Sequence, residues 1–181
     1  LGIAAGILMV AGEFDLSLGT ALTFNAIAFI RVEESFGLLA GIIAGIASGI
    51  FVALVNGAIV VYTKVPSFIA TLGMSFFWAG ASIFLNGTQA PTIPNESKEG
   101  AMEFLFVHNF TYFRSQLVWL VIIGTAAWFF LHRHRLGNHI FAVGGNTAAA
   151  QAISINPKKV KLTAFAIYGA LVGFVSILIA V

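Results

Sequence analysis

The sequence predicts an all-α protein, a polytopic bundle of transmembrane helices, and three observations predict it. Hydrophobic residues make up 59% of the 181 residues and charged residues only 9%, with a mean hydropathy of +0.98. Ordinary soluble domains carry roughly 25% charged residues. Five or six stretches approach the length of a membrane span, which needs about 20 mostly apolar residues. The basic residues cluster between two of these stretches, as they do in cytoplasmic loops.

Six apolar segments follow one another along the chain. They cover residues 1–11, 16–30, 36–61, 67–85, 117–131 and 162–181. The first and last look cut, so we expect residues 1–181 to be part of one transmembrane domain that is truncated at both ends. The net charge of +2 is too small to suggest nucleic acid as a partner. The absence of cysteine excludes disulfides and thiol chemistry.

The charged residues orient the segments. Residues 132–161 hold five basic residues and no acid, which predicts a cytoplasmic loop by the positive-inside rule. Residues 86–116 then form an external loop, residues 62–66 lie inside and residues 31–35 lie outside. The five basic residues are Arg133, Arg135, Lys158, Lys159 and Lys161.

The stretch AGEFDLSLGT, residues 11–20, places Glu13 and Asp15 between apolar segments. The segment that follows has about 15 residues, roughly 22 Å as a helix, against a hydrocarbon core of about 30 Å. Two alternatives stay open: a tight cytoplasmic turn, or a broken or short helix near residues 12–16 at membrane depth. Asp15 is expected to cap the next helix by accepting a bond from the N–H of Ser17 or Leu18. Glu13 is expected to be a solvated turn residue.

Polar side chains within the apolar segments are candidates for a solute pathway, because hydroxyls and amides can replace the water around a polar solute. The candidates are Asp15, Ser17, Thr20, Asn25, Asn56 and Thr71. The alternative is that they only bond to neighbouring helices. Small residues at every fourth position of residues 36–61 predict close helix packing. They are Gly41, Gly45, Gly49, Ala53 and Gly57.

The basic loop contains a predicted short helix. Gly144 and Gly145 are expected to form a flexible turn, and Asn146 to cap a helix of about ten residues that Pro157 stops. Its small side chains suit a groove on a partner, with simple connection as the alternative. The chain has no G-x-x-x-x-G-K-[ST] motif to hold ATP, and its sequence shows no paired metal ligands.

Three stretches together resemble the permease subunits of bacterial ABC importers for simple sugars, a group related to branched-chain amino-acid permeases. GEFDLSLGT resembles G-G-x-D-L-S-[VL]-G-[ST], with Glu13 in place of the second glycine. The others are VNGAIVVYTKVPSFIATLGM, residues 55–74, and GNHIFAVGGNTAAAQAISINPKKVK, residues 137–161. The last departs from the pattern at Ala148, Gln151 and the pair Ile153-Ser154, where the family has an acid, an arginine and Ser-Gly.

The resemblance implies a non-enzymatic permease subunit in the bacterial inner membrane that forms the pathway for a monosaccharide or similar small polar solute. It implies a second permease subunit, forming a homodimer, an external solute-binding protein and a cytoplasmic ATPase that binds the ATP, so this chain needs no cofactor. Residues 132–161 would carry the coupling helix that contacts the ATPase, through Gly144, Gly145, Asn146, Ala149, Ala150 and Ile155. The alternatives are an ion- or proton-coupled carrier with Asp15 as its coupling site and an intramembrane enzyme with Glu13 and Asp15 as paired acids.

Overall fold

Helices, with no strand among them, make up the part of the chain that the computed structural model describes, which is residues 1–63, 65–87, 106 and 115–181. The predicted all-α fold is confirmed. Most of the predicted external loop, residues 86–116, lies outside the described residues. In order, the helices are α1 (Gly2–Val10), α2 (Leu18–Phe36), α3 (Leu38–Thr63), α4 (Ser67–Asn86), α5 (Ser115–Arg133), α6 (Arg135–Gly145), α7 (Thr147–Ala152) and α8 (Pro157–Ala180).

Four of the described helices, α3, α4, α5 and α8, are long and apolar enough to cross a membrane. Helix α1 has only nine residues. Helix α2 has 19 residues, about 28 Å at 1.5 Å per residue, so it is nearly long enough to span. It is less apolar than the four, because its last turns carry Arg31, Glu33 and Glu34.

The end of α2 differs from the prediction, which placed residues 31–35 in a loop. The helix continues to Phe36 and ends at Gly37, whose N–H donates to the Glu33 carbonyl. Arginine and glutamate are good helix formers, so their charge does not end a helix whose last turn is exposed. Arg31 also donates to the Leu85 carbonyl at 2.6 Å, which joins the end of α2 to the end of α4.

Helix α3 packs against α2 and α8 along its glycines. A Cβ atom on Gly49 would lie 2.8 Å from the Cα of Gly173 and would also overlap the Gly169 carbonyl. A Cβ on Gly57 would lie 2.7 Å from the Phe165 ring. Gly45 faces residues of both α2 and α8, and Gly41 faces α2. The helix backbones therefore approach more closely than any larger residue would allow.

Several helix ends lie together at one end of the bundle. They are the starts of α4 and α8 and the ends of α1, α3 and α5, and all of α6 and α7 lies with them. The contacts that join these elements include Lys158, whose ammonium lies 5.3 Å from the centre of the Tyr62 ring. We call this end the α7 end. It carries the connections that the sequence assigns to the inside.

Residues 132–161 are mostly helical rather than a loop. Helix α6 begins after His134, whose ring nitrogen accepts from the Leu136 N–H at 3.2 Å. Gly144 and Gly145 are the last residues of α6, so the flexible turn expected there is absent. Position 144 requires glycine because α6 packs directly on the Val10 carbonyl, where a side chain would overlap it.

Helix α7 is shorter than predicted, with six residues. The Asn146 side chain accepts from the Ala149 N–H at 3.0 Å, as the predicted cap requires. The helix ends in a Schellman turn with Ser154 at φ +64°, a conformation that favours glycine. Helix α8 then begins at Pro157, earlier than the predicted residue 162, with Asn156 as its cap.

Candidate functional site

A helix break separates α1 from α2 near residues 12–16, as one of the two sequence alternatives requires. Helix α1 ends at Val10 in a Schellman turn with Gly12 at φ +78°. The Gly12 N–H donates to the Met9 carbonyl at 2.9 Å and the Glu13 N–H to the Leu8 carbonyl at 3.1 Å. Glycine is the residue that adopts this left-handed geometry without strain, so Gly12 accounts for the end of α1 at this point.

Helix α4 satisfies the backbone of the break. The Phe14 N–H donates to the Ser67 hydroxyl at 3.1 Å, and the Leu16 N–H donates to the Thr71 hydroxyl at 3.0 Å. Backbone groups freed inside a membrane need such partners, because lipid offers none. The backbone of the break is therefore bonded to α4, although Gly12, Phe14 and Leu16 are exposed.

The Asp15 carboxylate accepts three hydrogen bonds at this break. Its Oδ1 accepts from the Ser17 N–H at 2.7 Å and from the Ser17 hydroxyl at 2.6 Å, and its Oδ2 accepts from the Asn56 Nδ2 at 3.1 Å. The predicted bond from the Ser17 N–H is thus present, although the capping residue of α2 is Ser17 itself. A carboxylate before the first turn of α2 also complements the helix dipole.

Asn56 ties Asp15 to α4. Its Nδ2 also donates to the Ser17 hydroxyl at 2.7 Å, and its Oδ1 accepts from the Trp78 indole N–H at 3.1 Å. Ser17 and Asn56 are fully buried and Trp78 is buried. Asn56 lies seven residues before the end of α3, which is about 10 Å along the helix. We call Asp15, Ser17, Asn56 and Trp78 the Asp15 cluster.

Sequence reasoning missed Trp78. The signal was available, because Trp78 lies seven residues after Thr71, two turns along the same face of α4. The ring packs against Phe24 and Phe77, with ring centres 4.9 Å and 5.0 Å away. This aromatic packing orients the indole N–H toward Asn56.

The remaining pathway candidates lie at different distances from the cluster. Thr71 lies beside it at the break, with its hydroxyl donating to the Ser67 carbonyl. The Thr20 hydroxyl donates to the Ser17 carbonyl at 2.9 Å. Asn25 is fully buried two turns further along α2, where it accepts from the Ser48 hydroxyl at 3.0 Å. The structure therefore brings five candidates together and leaves Asn25 apart.

Glu13 is buried, so the expectation of a solvated turn residue was wrong. Its carboxylate accepts from the Lys161 ammonium of α8. The fold brings the end of α1 to the start of α8, and a residue 148 positions away supplies the compensating charge.

The candidate coupling residues divide into an inner and an outer set. Gly144 lies against α1, Ala150 is buried, and Ile155 packs on the core of the bundle. Gly145, Asn146 and Ala149 are exposed at the α7 end. Among the described residues, no group of three histidine, cysteine or acidic side chains could hold a metal ion.

The family match spans the chain. A family model described as branched-chain amino acid transport system, permease component, matches residues 1–181. The chain belongs to this family. It is therefore a membrane permease component rather than an enzyme, and the predicted family and multi-pass membrane location are confirmed.

Curated relatives are similar over nearly the whole chain. The ribose import permease protein RbsC of Escherichia coli strain K12 is 30% identical over 98% of this chain and 56% of its own length. The L-arabinose ABC transporter permease protein AraH of Azospirillum brasilense is 29% identical over 93% of this chain and 49% of its own. The inner membrane ABC transporter permease protein YjfF of Escherichia coli strain K12 is 30% identical over 86% and 48%.

The chain spans about half the length of the curated relatives it matches. No solved structure is significantly similar to it.

Proposed function

We propose that the chain forms part of the solute pathway of an ATP-driven importer for a monosaccharide or a similar small polar solute in the bacterial inner membrane. The observation that carries the proposal is the Asp15 cluster, in which a partly buried carboxylate bonds to buried side chains at a helix break between apolar helices. The names of two relatives, for ribose and for L-arabinose, support the choice of solute class.

The cluster suits a solute that carries hydroxyl groups. The described bonds to Asp15 and Asn56 come from a hydroxyl, an amide and an indole N–H. A sugar hydroxyl both donates and accepts, so it can replace the Ser17 hydroxyl or the indole N–H at the same positions. Hydrogen bonds between membrane helices average only about 0.6 kcal/mol, so the exchange is inexpensive.

The ATPase is proposed to bind the outer side of α7. Gly145, Asn146 and Ala149 are exposed there, while Ala150 and Ile155 attach the helix to the bundle. A rigid, small-sided helix with a buried anchor can transmit displacement as well as bind. A second permease subunit and an external binding protein complete the proposed assembly.

Reconstitution tests the proposal. We expect the full-length protein in liposomes to take up labelled ribose or L-arabinose only with ATP, its ATPase and its binding protein. Uptake by the protein alone, driven by a pH gradient, would instead show a proton-coupled carrier.

A substitution tests the role of Asp15. Asp15→Asn keeps the shape but replaces an acceptor oxygen by a donor that faces the Asn56 amide or Ser17. We expect it to lower uptake while the ATPase still binds. Thr23→Ala is the control, because Thr23 is exposed on the same helix and its hydroxyl bonds only within α2. Equal loss of uptake in both variants, or loss of ATPase binding with Asp15→Asn, would contradict the pathway role.

A further inference from the structure

The ion pair between Glu13 and Lys161 connects two parts of the molecule that the proposed function treats separately. Glu13 lies in the helix break, two residues before Asp15. Lys161 lies in the second turn of α8, after residues 146–156, which we call the α7 loop. The Glu13 side chain is 7% exposed and that of Lys161 is 24% exposed. Water and salt screen such a pair far less than a surface pair.

A second contact joins the same two parts. Gly144, the next-to-last residue of α6, packs on the Val10 carbonyl, and a Cβ on Gly12 would lie 3.5 Å from the Gly144 Cα. The break is therefore held from both ends of the α7 loop. Gly144 contacts it just before α7, and Lys161 contacts it shortly after.

The two contacts differ in what they can transmit. The Gly144 contact is steric, so it can push the break but cannot pull it. The Glu13–Lys161 pair is attractive, and separating it would leave a mostly buried carboxylate without its cation, which is strongly unfavourable. A displacement of the start of α8 in either direction would therefore carry Glu13 with it.

Glu13 in turn is linked to the Asp15 cluster by a short length of backbone. Only Phe14 separates it from Asp15, and the Phe14 N–H is bonded to Ser67 of α4. Movement of Glu13 would therefore strain the bonds that Asp15 accepts from Ser17 and Asn56.

We propose that the Glu13–Lys161 ion pair is a positioning link that makes the helix break beside Asp15 follow the α7 loop. The inference rests on the proposed function, since it assigns the route by which ATPase movement reaches the pathway. Neither residue needs to touch the solute or the ATPase.

The test measures uptake and ATP hydrolysis in the same liposomes, with the full-length protein, its ATPase, its binding protein, and labelled ribose or L-arabinose as probes. Glu13→Gln and Lys161→Met each remove one charge. We expect each to lower solute uptake per ATP hydrolysed about tenfold, within the range usual for coupling between sites, while ATP hydrolysis stays near the wild-type rate. Lys159→Met is the matched control, an exposed lysine two residues away on the same helix.

The reversed pair, Glu13→Lys with Lys161→Glu, restores the attraction with opposite signs. We expect the reversed pair to recover most of the lost coupling. If a single variant incorporates poorly into liposomes, the reversed pair still tests whether the ion pair is needed. Normal uptake per ATP in Glu13→Gln, or a well-incorporated reversed pair that remains uncoupled, would overturn the link. Wild-type uptake without ATP would instead refute the proposed function, so the two failures are distinguishable.

Discussion

The contact between α3 and α8 leaves no room for a side chain at Gly49, so adding one should destabilise the protein. The Gly49→Ala substitution adds one methyl group to α3. Its Cβ would lie 2.8 Å from the Cα and the N of Gly173, about 0.6 Å short of the 3.4 Å at which ordinary contact begins. These neighbours are backbone atoms, so no side-chain rotation relieves the overlap and the two helices must separate.

Overpacking of this kind costs about 1–3 kcal/mol. A loss of about 2 kcal/mol lowers the melting temperature of a chain of 150–250 residues by roughly 4–8 °C, and that of a protein twice as long by roughly 2–4 °C. The assay is thermal unfolding of the purified full-length protein in detergent, followed by tryptophan fluorescence. The melting temperature of Gly49→Ala is expected to lie roughly 2–4 °C below that of the wild-type protein.

Gly80→Ala provides the control within the same chain. Gly80 lies in α4, where an added Cβ would meet nothing within 4 Å. Alanine is favoured over glycine inside a helix by about 1 kcal/mol, so this variant should melt at the wild-type temperature or above it. Equal melting temperatures for Gly49→Ala and Gly80→Ala would refute the reasoning.

A double substitution sharpens the test. Gly169 packs against Gly49 from the opposite helix, and a Cβ there would lie 2.5 Å from the Ala53 Cβ. Gly169→Ala should also destabilise the protein. The combined variant should lose less than the two single losses added together, because residues in contact do not act independently and the first methyl group already separates the helices.

Three further predictions concern local bonds. Ser154→Gly should raise the free energy of unfolding by about 0.5–1 kcal/mol, because φ is +64° there, and Ser154→Val should lower it. A lower melting temperature for Ser154→Gly than for Ser154→Val would contradict the left-handed conformation at this turn. Trp78→Phe should cost about 1–3 kcal/mol by leaving the Asn56 oxygen without its donor, and unchanged stability and uptake would count against the Asp15 cluster. Asn146→Ala should cost about 1 kcal/mol by removing the bond to the Ala149 N–H and should weaken ATPase binding in a pull-down, whereas full binding would argue against docking at α7.

Sequence patterns predicted the elements because those patterns act over a few residues. Apolar runs located every long helix, and the two acids limited residues 12–16 to a turn or a helix break without deciding between them. The bond from the Ser17 N–H to Asp15 spans two residues, so it was predictable. The bounds were wrong where helix propensity continued past a change in hydropathy, at Arg31 in α2 and at Lys158 in α8.

By itself, then, the sequence determined the fold class, the order of the long helices and the family, since hydrophobicity and short motifs are local properties of the chain. Only the tertiary structure decided which side chains meet. The bond from Trp78 to Asn56 and the pairing of Glu13 with Lys161 join residues on different helices. Such contacts depend on how all the helices pack at once, and no window of neighbouring residues contains that information.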